Sequence, residues 1–204
     1  MDALDKLSEI FKKFPGIGPR QAKRFVYHIL QENEEDIAEL INAISNIKRG
    51  VSICDKCYRY FENKNKQMIV PCPICSNTSR DQGTLMIVAK DIDLLAVERS
   101  RAYNGVYFVL GNTVPILDEE PHKKIRQGEL LYRVEELTDL KEVIIATSVN
   151  TEGEHTAFYL NTLLRPYKEK SGFKITTLGR GLSTGTELEY SDGDTLKSAL
   201  ENRH

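Results

Sequence analysis

Several things are missing from this 204-residue chain, and each absence excludes a class of protein. No run of 18 apolar residues occurs, which excludes a transmembrane helix. Met1 to Glu9 alternates charged and apolar residues and has no apolar core of a secretory signal, so a cytoplasmic protein is expected. Excess charge of either sign is lacking: 28 Lys plus Arg face 30 Asp plus Glu, for a net −2. That balance argues at first against a nucleic-acid binder. The four histidines, His28, His122, His155 and His204, are scattered, form no H-x-x-x-H pair and have no recognisable Ser or Cys partner. Gly179 to Gly185 is rich in glycine but lacks the spacing of a nucleotide-binding P-loop. No internal repeat or low-complexity tract is present.

Cysteine is scarce too, but its placement is informative. Cys54, Cys57, Cys72 and Cys75 follow the pattern C-x2-C-x14-C-x2-C. Each pair sets two sulfurs on one turn, and two such turns complete a tetrahedral thiolate shell. Four soft thiolates suit one structural Zn²⁺ and leave no open position for catalysis. The alternative, two disulfides, conflicts with the reducing compartment expected for the chain. Tyr58 to Pro71 is short and polar, so folding of this module is expected to depend on the ion. Tyr58 and Tyr60 beside the first pair either fill the module's thin core or stack on bases.

Apolar spacing predicts helices over 2–14, from Pro19 to about Leu30, and over 34–48. The third carries Ile37, Leu40, Ile41, Ile44 and Ile47 on one side. Its acidic start and its end at Lys48 and Arg49 suit the helix dipole. From Thr84 the pattern changes: short apolar runs at 85–89, 106–110 and 143–147 read as strands, and Lys174-Ile175-Thr176-Thr177-Leu178 reads as a fourth. Helices are expected between them at 91–101, 122–137 and 153–168. Such alternation indicates a parallel α/β sheet with right-handed crossovers. A loop and a short helix from Asp194 to Asn202 close the chain. The expected organisation is multi-domain: a helical domain over 1–52, a four-cysteine zinc module over 53–78, an α/β domain over 79–178 and a C-terminal extension over 179–204.

The break between the first two helices is Phe14-Pro15-Gly16-Ile17-Gly18-Pro19-Arg20. The glycines permit backbone angles closed to other residues and allow an anion to approach the following helix N-terminus. Lys12 and Lys13 precede this turn, and Arg20, Lys23 and Arg24 follow it. Phe11 to His28 holds five Lys or Arg and no acid, whereas Ile29 to Glu39 holds five acids and no base. The neutral total therefore conceals a separation of charge. The segment resembles a helix-hairpin-helix, with Lys12, Lys13, Gly16, Gly18, Arg20, Lys23 and Arg24 as candidate DNA contacts. The alternative is an ordinary helical hairpin with a solvated basic face.

Ala146-Thr147-Ser148-Val149-Asn150-Thr151-Glu152-Gly153-Glu154 is similar to the A-T-x-x-x-x-E-G-E signature of Toprim domains. With the hairpin, the four cysteines and the tail Arg180-Gly181-Leu182-Ser183-Thr184-Gly185-Thr186-Glu187-Leu188-Glu189-Tyr190, the whole chain resembles the RecR family of bacterial recombination mediators. Ser79-Arg80-Asp81, Ala96-Val97-Glu98-Arg99 and Tyr107-Phe108-Val109-Leu110-Gly111 carry the same resemblance. It implies a non-enzymatic, nucleoid-associated DNA clamp or scaffold. Such a protein is a homodimer or tetramer that works with RecO and RecF to load RecA on single strands coated by single-strand-binding protein. It implies a hairpin facing DNA, a structural zinc module and a Toprim domain that helps bind RecO.

An active Toprim enzyme needs a Glu after its first strand and a later D-x-D pair to hold Mg²⁺. Those positions here are Ala89, Ser148 and Asn150, and none is acidic. Ala89 departs even from many members of the family. A Mg²⁺-dependent nucleic-acid enzyme is the alternative these residues oppose. A sequence-reading zinc-ribbon regulator is a third reading. Glu152 and Glu154 remain as candidate partner contacts, with helix capping the plainer explanation and weak cation binding the least favoured.

Overall fold

A computed structural model describes residues 2–63, 71–117, 120–179, 181–182, 185 and 187–201. The chain divides into two compact units: residues 1–51 with 62–64, and residues 52–61 with 65–204.

The first unit is helical. Helix α1 (Ala3–Phe11) begins where the Asp2 carboxylate accepts the Asp5 N–H at 2.7 Å. Helix α2 (Pro19–Ile29) has proline at its first position, where a missing N–H costs nothing. Helix α3 (Glu34–Gly50) is capped by Asn33, whose side-chain oxygen accepts the Asp36 N–H at 2.9 Å. Phe11 packs against Phe25 at 5.6 Å between ring centres, in an edge-on arrangement that joins α1 to α2. Ala22 and Val26 of α2 are buried, with Phe25 and Ile29 half-buried beside them, and Leu30 lies exposed. The apolar side of α3 has no such fate: none of its residues is buried.

Two short strands, β1 (Val51–Ile53) and β2 (Tyr60–Glu62), form a ribbon around the first cysteine pair. Three-residue strands carry too little periodicity to be seen in sequence.

The second unit is a four-stranded parallel sheet in the order β4-β3-β5-β6. Its strands are β3 (Asp81–Val88), β4 (Gly105–Val109), β5 (Glu142–Ala146) and β6 (Lys174–Thr177). The central strand β3 matches Leu85–Val88 to Val106–Val109 on one side and to Val143–Ala146 on the other. Burial on both faces accounts for the unbroken apolar runs that mark these strands in sequence. β3 starts four residues earlier than expected, because Asp81 already pairs with Gly105 across an irregularity in register. Helix α4 (Asp91–Ser100) links β3 to β4, and α6 (Thr151–Ser171) links β5 to β6. The helix expected at 122–137 is instead a 3-10 turn at Pro121–Lys123 followed by α5 (Gln127–Glu136). α6 runs through Pro166 to Ser171 and ends on Gly172 in the left-handed region. Helix α7 (Gly193–Glu201) ends the described chain. No helix among the described residues is long and apolar enough to cross a membrane.

Two buried clusters hold this unit together. Leu85, Ile87, Phe108, Leu130, Val143, Leu160 and Leu164 form one, between the sheet and helices α5 and α6. The other joins Cys54, Cys57, Cys72 and Ile74 to Met86, Val88, Leu94, Tyr107 and Val109. The cysteine module thus shares a core with the sheet. Its backbone joins in as well, since the Cys57 carbonyl accepts the Val109 N–H at 2.8 Å along the edge of β4.

Candidate metal centre and nucleic-acid interface

The four cysteine sulfurs lie within 4.8 Å of one another. Cys54, Cys57 and Cys72 are buried and Cys75 is half-buried, all as free thiols. A tetrahedral thiolate shell with metal–sulfur bonds of about 2.3 Å separates its sulfurs by about 3.8 Å. Cys57 and Cys72 are 3.6 Å apart, close to that spacing and far beyond a disulfide. The Cys72 N–H points at the Cys54 sulfur at 3.3 Å, where it stabilises a thiolate. Hydrogen bonds from Cys57, then Cys72 and Cys75, hold the Cys54 thiol far below its ordinary value. The same contacts, led by the one with Cys54, push Cys57 far above it. Four such sulfurs cannot all ionise in a buried space without a cation, so the donor set fits a metal ion.

Tyr58 is no surface platform. Its ring packs on Phe108 at 5.4 Å, and the Arg126 guanidinium stacks over it at 5.6 Å. Arg126 also donates to the carbonyls of Tyr58 and Val109, at 2.8 and 2.9 Å. Nothing in the sequence pointed to Arg126, because its partners are backbone atoms distant along the chain. A second connection lies at the far end of the module. Arg80 donates to both Glu98 oxygens at 3.0 and 2.5 Å and to the Gly105 carbonyl at 3.0 Å, while the Tyr107 hydroxyl donates to Glu98 at 2.7 Å. Burial raises the Glu98 carboxyl, but the hydrogen bonds from Arg80 and Tyr107 outweigh it and hold the group below its ordinary value.

In the first unit, Gly16 has φ +77°, a region that side chains rarely adopt. Gly18 does not: at φ −82° it caps α2 in extended backbone, so the left-handed requirement falls on Gly16 alone. A Cβ on either glycine would meet nothing within 4 Å, so the approach to the start of α2 is open. Arg20, Lys23 and Arg24 are exposed on α2 and have no ion-pair partner among the described residues. Lys12 differs, since Glu9 holds its ammonium at 2.6 Å and reduces its use as a free charge. Lys13 lies in the turn after α1.

At the carboxyl end of the sheet, Ala89 follows β3 and is buried. Ser148 and Asn150 lie in the loop after β5. The Asn150 side chain accepts the Gly153 N–H at 2.8 Å and so caps α6. Glu152 and Glu154 are exposed in the first turn of that helix, where carboxylates are favoured. A Cβ on Gly153 would collide with the Ser148 carbonyl, which explains the glycine between the two acids. A cleft of about 390 Å³ opens beside this loop, lined by Thr147, Ser148, Glu154, Thr177 and Gly179 among others. Arg180, Ser183, Thr184, Thr186, Asn202 and His204 lie outside the described residues, as do residues 64–70 between the cysteine pairs.

These features define a class: a helix-hairpin-helix unit joined to a Toprim sheet that carries a four-cysteine cluster. Residues 4–48 match the helix-hairpin-helix of RecR, residues 83–179 match the Toprim domain, and residues 181–204 match the RecR C-terminal region. A curated relative called "Recombination protein RecR" from Chloroherpeton thalassium is 39% identical over 204 residues, covering 98% of this chain and 96% of its own. Another of that name, from Staphylococcus haemolyticus, is 36% identical over 202 residues, covering 99% and 96%. The chain belongs to the RecR family of recombination proteins, and its role lies in recombinational repair.

Proposed function

We propose that the chain is a non-enzymatic DNA clamp or scaffold that works with RecO and RecF to load RecA on single strands coated by single-strand-binding protein. The open start of α2, with Arg20, Lys23 and Arg24 exposed around it and in no ion pair among the described residues, is the observation that carries DNA binding. Peptide N–H groups and the helix dipole attract phosphate there, without reading bases. Gly16, Gly18, Lys12 and Lys13 complete the surface, Lys12 more weakly because of Glu9. Zn²⁺ is the ion proposed for the cysteines, as a structural element, since four thiolates leave no place for water. Glu152 and Glu154 offer an exposed negative surface to a basic partner, for which RecO is the candidate. The exposed apolar side of α3 supports assembly into a homodimer or tetramer. The proposed location is the cytoplasm, at the nucleoid.

The competing reading, a Mg²⁺-dependent Toprim enzyme, is disfavoured residue by residue. Ala89 has no proton to transfer, Ser148 is neutral, and Asn150 has its oxygen engaged in a helix cap. Replacing Arg20 and Arg24 together by Ala tests the proposal. Duplex DNA affinity should fall, and the slope of log affinity against log salt should drop by about 2, with unchanged thermal stability. Unaltered affinity would put the DNA surface elsewhere, and Mg²⁺-dependent cleavage or primer synthesis by pure protein would overturn the non-enzymatic reading.

A further inference from the structure

Tyr27 is the large aromatic residue of α2 that faces solvent, with 58% of its surface exposed. Its placement follows from helical spacing. Ala22 and Val26 turn inward, with Phe25 and Ile29 half-buried beside them. Tyr27 lies four residues after Lys23 and three after Arg24, which itself lies four after Arg20. Residues so spaced share one face, with Cβ atoms about 5–6 Å apart. The exposed side of α2 is therefore a stripe of three cations ending in an aromatic ring. No acidic residue interrupts it between Pro19 and Ile29.

We infer that Tyr27 is a stacking platform for an unpaired base, and that this face of α2 holds single-stranded nucleic acid in preference to duplex. The inference rests on the DNA-binding reading of the hairpin and adds a base contact to it. Arg20, Lys23 and Arg24 attract phosphates of any strand, paired or not. A base inside a duplex is already stacked on its neighbours and offers no free face. A base in a single strand does, and aromatic stacking accepts any of the four. The distance from a nucleotide's phosphate to its base is comparable with the spacing of Lys23 or Arg24 from Tyr27. Charge on the stripe selects a polyanion, and the ring selects one with free bases. Tyr58, which lies beside the first cysteine pair, is packed against Phe108 and unavailable for this use.

The test compares full-length Tyr27→Ala, Tyr27→Phe and the Arg20→Ala/Arg24→Ala pair on three probes: oligo-dT, an abasic strand of equal length and a duplex. Tyr27→Ala should weaken oligo-dT binding by about 5- to 100-fold. It should leave the abasic strand and the duplex within twofold, and Tyr27→Phe should bind oligo-dT like the parent. The arginine pair should weaken all three probes. Because the chain has no tryptophan, Tyr27→Trp adds a single reporter whose fluorescence should be quenched by oligo-dT and not by the abasic strand. Equal weakening of oligo-dT and abasic strand by Tyr27→Ala overturns the inference, as does no weakening of either. A changed oligomeric mass in Tyr27→Ala also overturns it, by marking the ring as a contact between copies. Unchanged binding in the arginine pair would overturn the hairpin reading itself, a different failure.

Discussion

The two units of this chain treat their apolar residues in opposite ways. In the sheet unit, β4 is buried from end to end and Leu85 to Val88 of β3 are inaccessible or nearly so. In the helical unit, α3 carries an equally clear apolar pattern, yet Leu40, Ile41, Ile44 and Ile47 stay 45–63% exposed. Apolar periodicity thus records that a face is to be covered, not that the same chain covers it. The sheet unit satisfies its pattern internally and even recruits the cysteine cluster into its core. The helical unit buries Ala22 and Val26 of α2 but no residue of α3.

The largest effect should come from attacking the shared core. Cys54→Ser removes one of four sulfurs from a cluster continuous with Met86, Val88 and Tyr107. Metal loss should therefore cost the sheet as well as the module, by several kcal/mol or more, and yield little soluble protein. Metal analysis should give about one zinc per chain for the parent and none for the variant. A variant that folded and melted like the parent would show the two parts to be energetically separate.

Glu98→Gln should have a smaller effect, confined to the sheet unit. It breaks a mostly buried carboxylate–arginine pair and leaves Arg80 partly uncompensated, a loss of about 2–4 kcal/mol. The pH dependence has a definite sign. The folded Glu98 carboxyl lies below its ordinary value of 4.5, so its stabilisation is present above that pH. It is lost as pH falls through the lowered value. Denaturant melts between pH 7 and pH 3 should show the parent losing more stability than Glu98→Gln. Parallel curves would mean that the pair contributes nothing net.

Strands and helices were legible where burial imposes a period: 85–88, 106–109 and 143–146 appear in sequence as apolar runs because both faces of those strands are covered. The cysteine spacing likewise foretold four converging sulfurs. What sequence could not show are the contacts between distant segments. Arg126 grips the carbonyls of Tyr58 and Val109, and the Cys57 carbonyl pairs with the edge of β4. Neither leaves a local pattern. The Toprim acids could be seen to be missing, but not that Asn150 has become a helix cap. Nor could the charge blocks reveal that Glu9 claims Lys12, whereas Arg20 and Arg24 form no ion pair among the described residues.

The smallest effect on folding should come from α3, and it bears most directly on the contrast between the units. Ile44 is 61% exposed, so Ile44→Asp removes almost no buried surface. Its cost to the isolated chain should stay within about 0.5 kcal/mol, as for ordinary surface changes. If copies of the chain meet through this face, the same change sets an unpaired charge in a dry contact, at a cost of several kcal/mol per interface. Sedimentation at micromolar concentration should then show a lower mass for the variant and an unchanged helical signal. DNA binding should weaken with it, because a clamp closed by weak local contacts depends on several copies acting together. An unchanged mass would mean that α3 serves a different partner, whereas a lost helical signal would mean that its apolar side already supports the single chain.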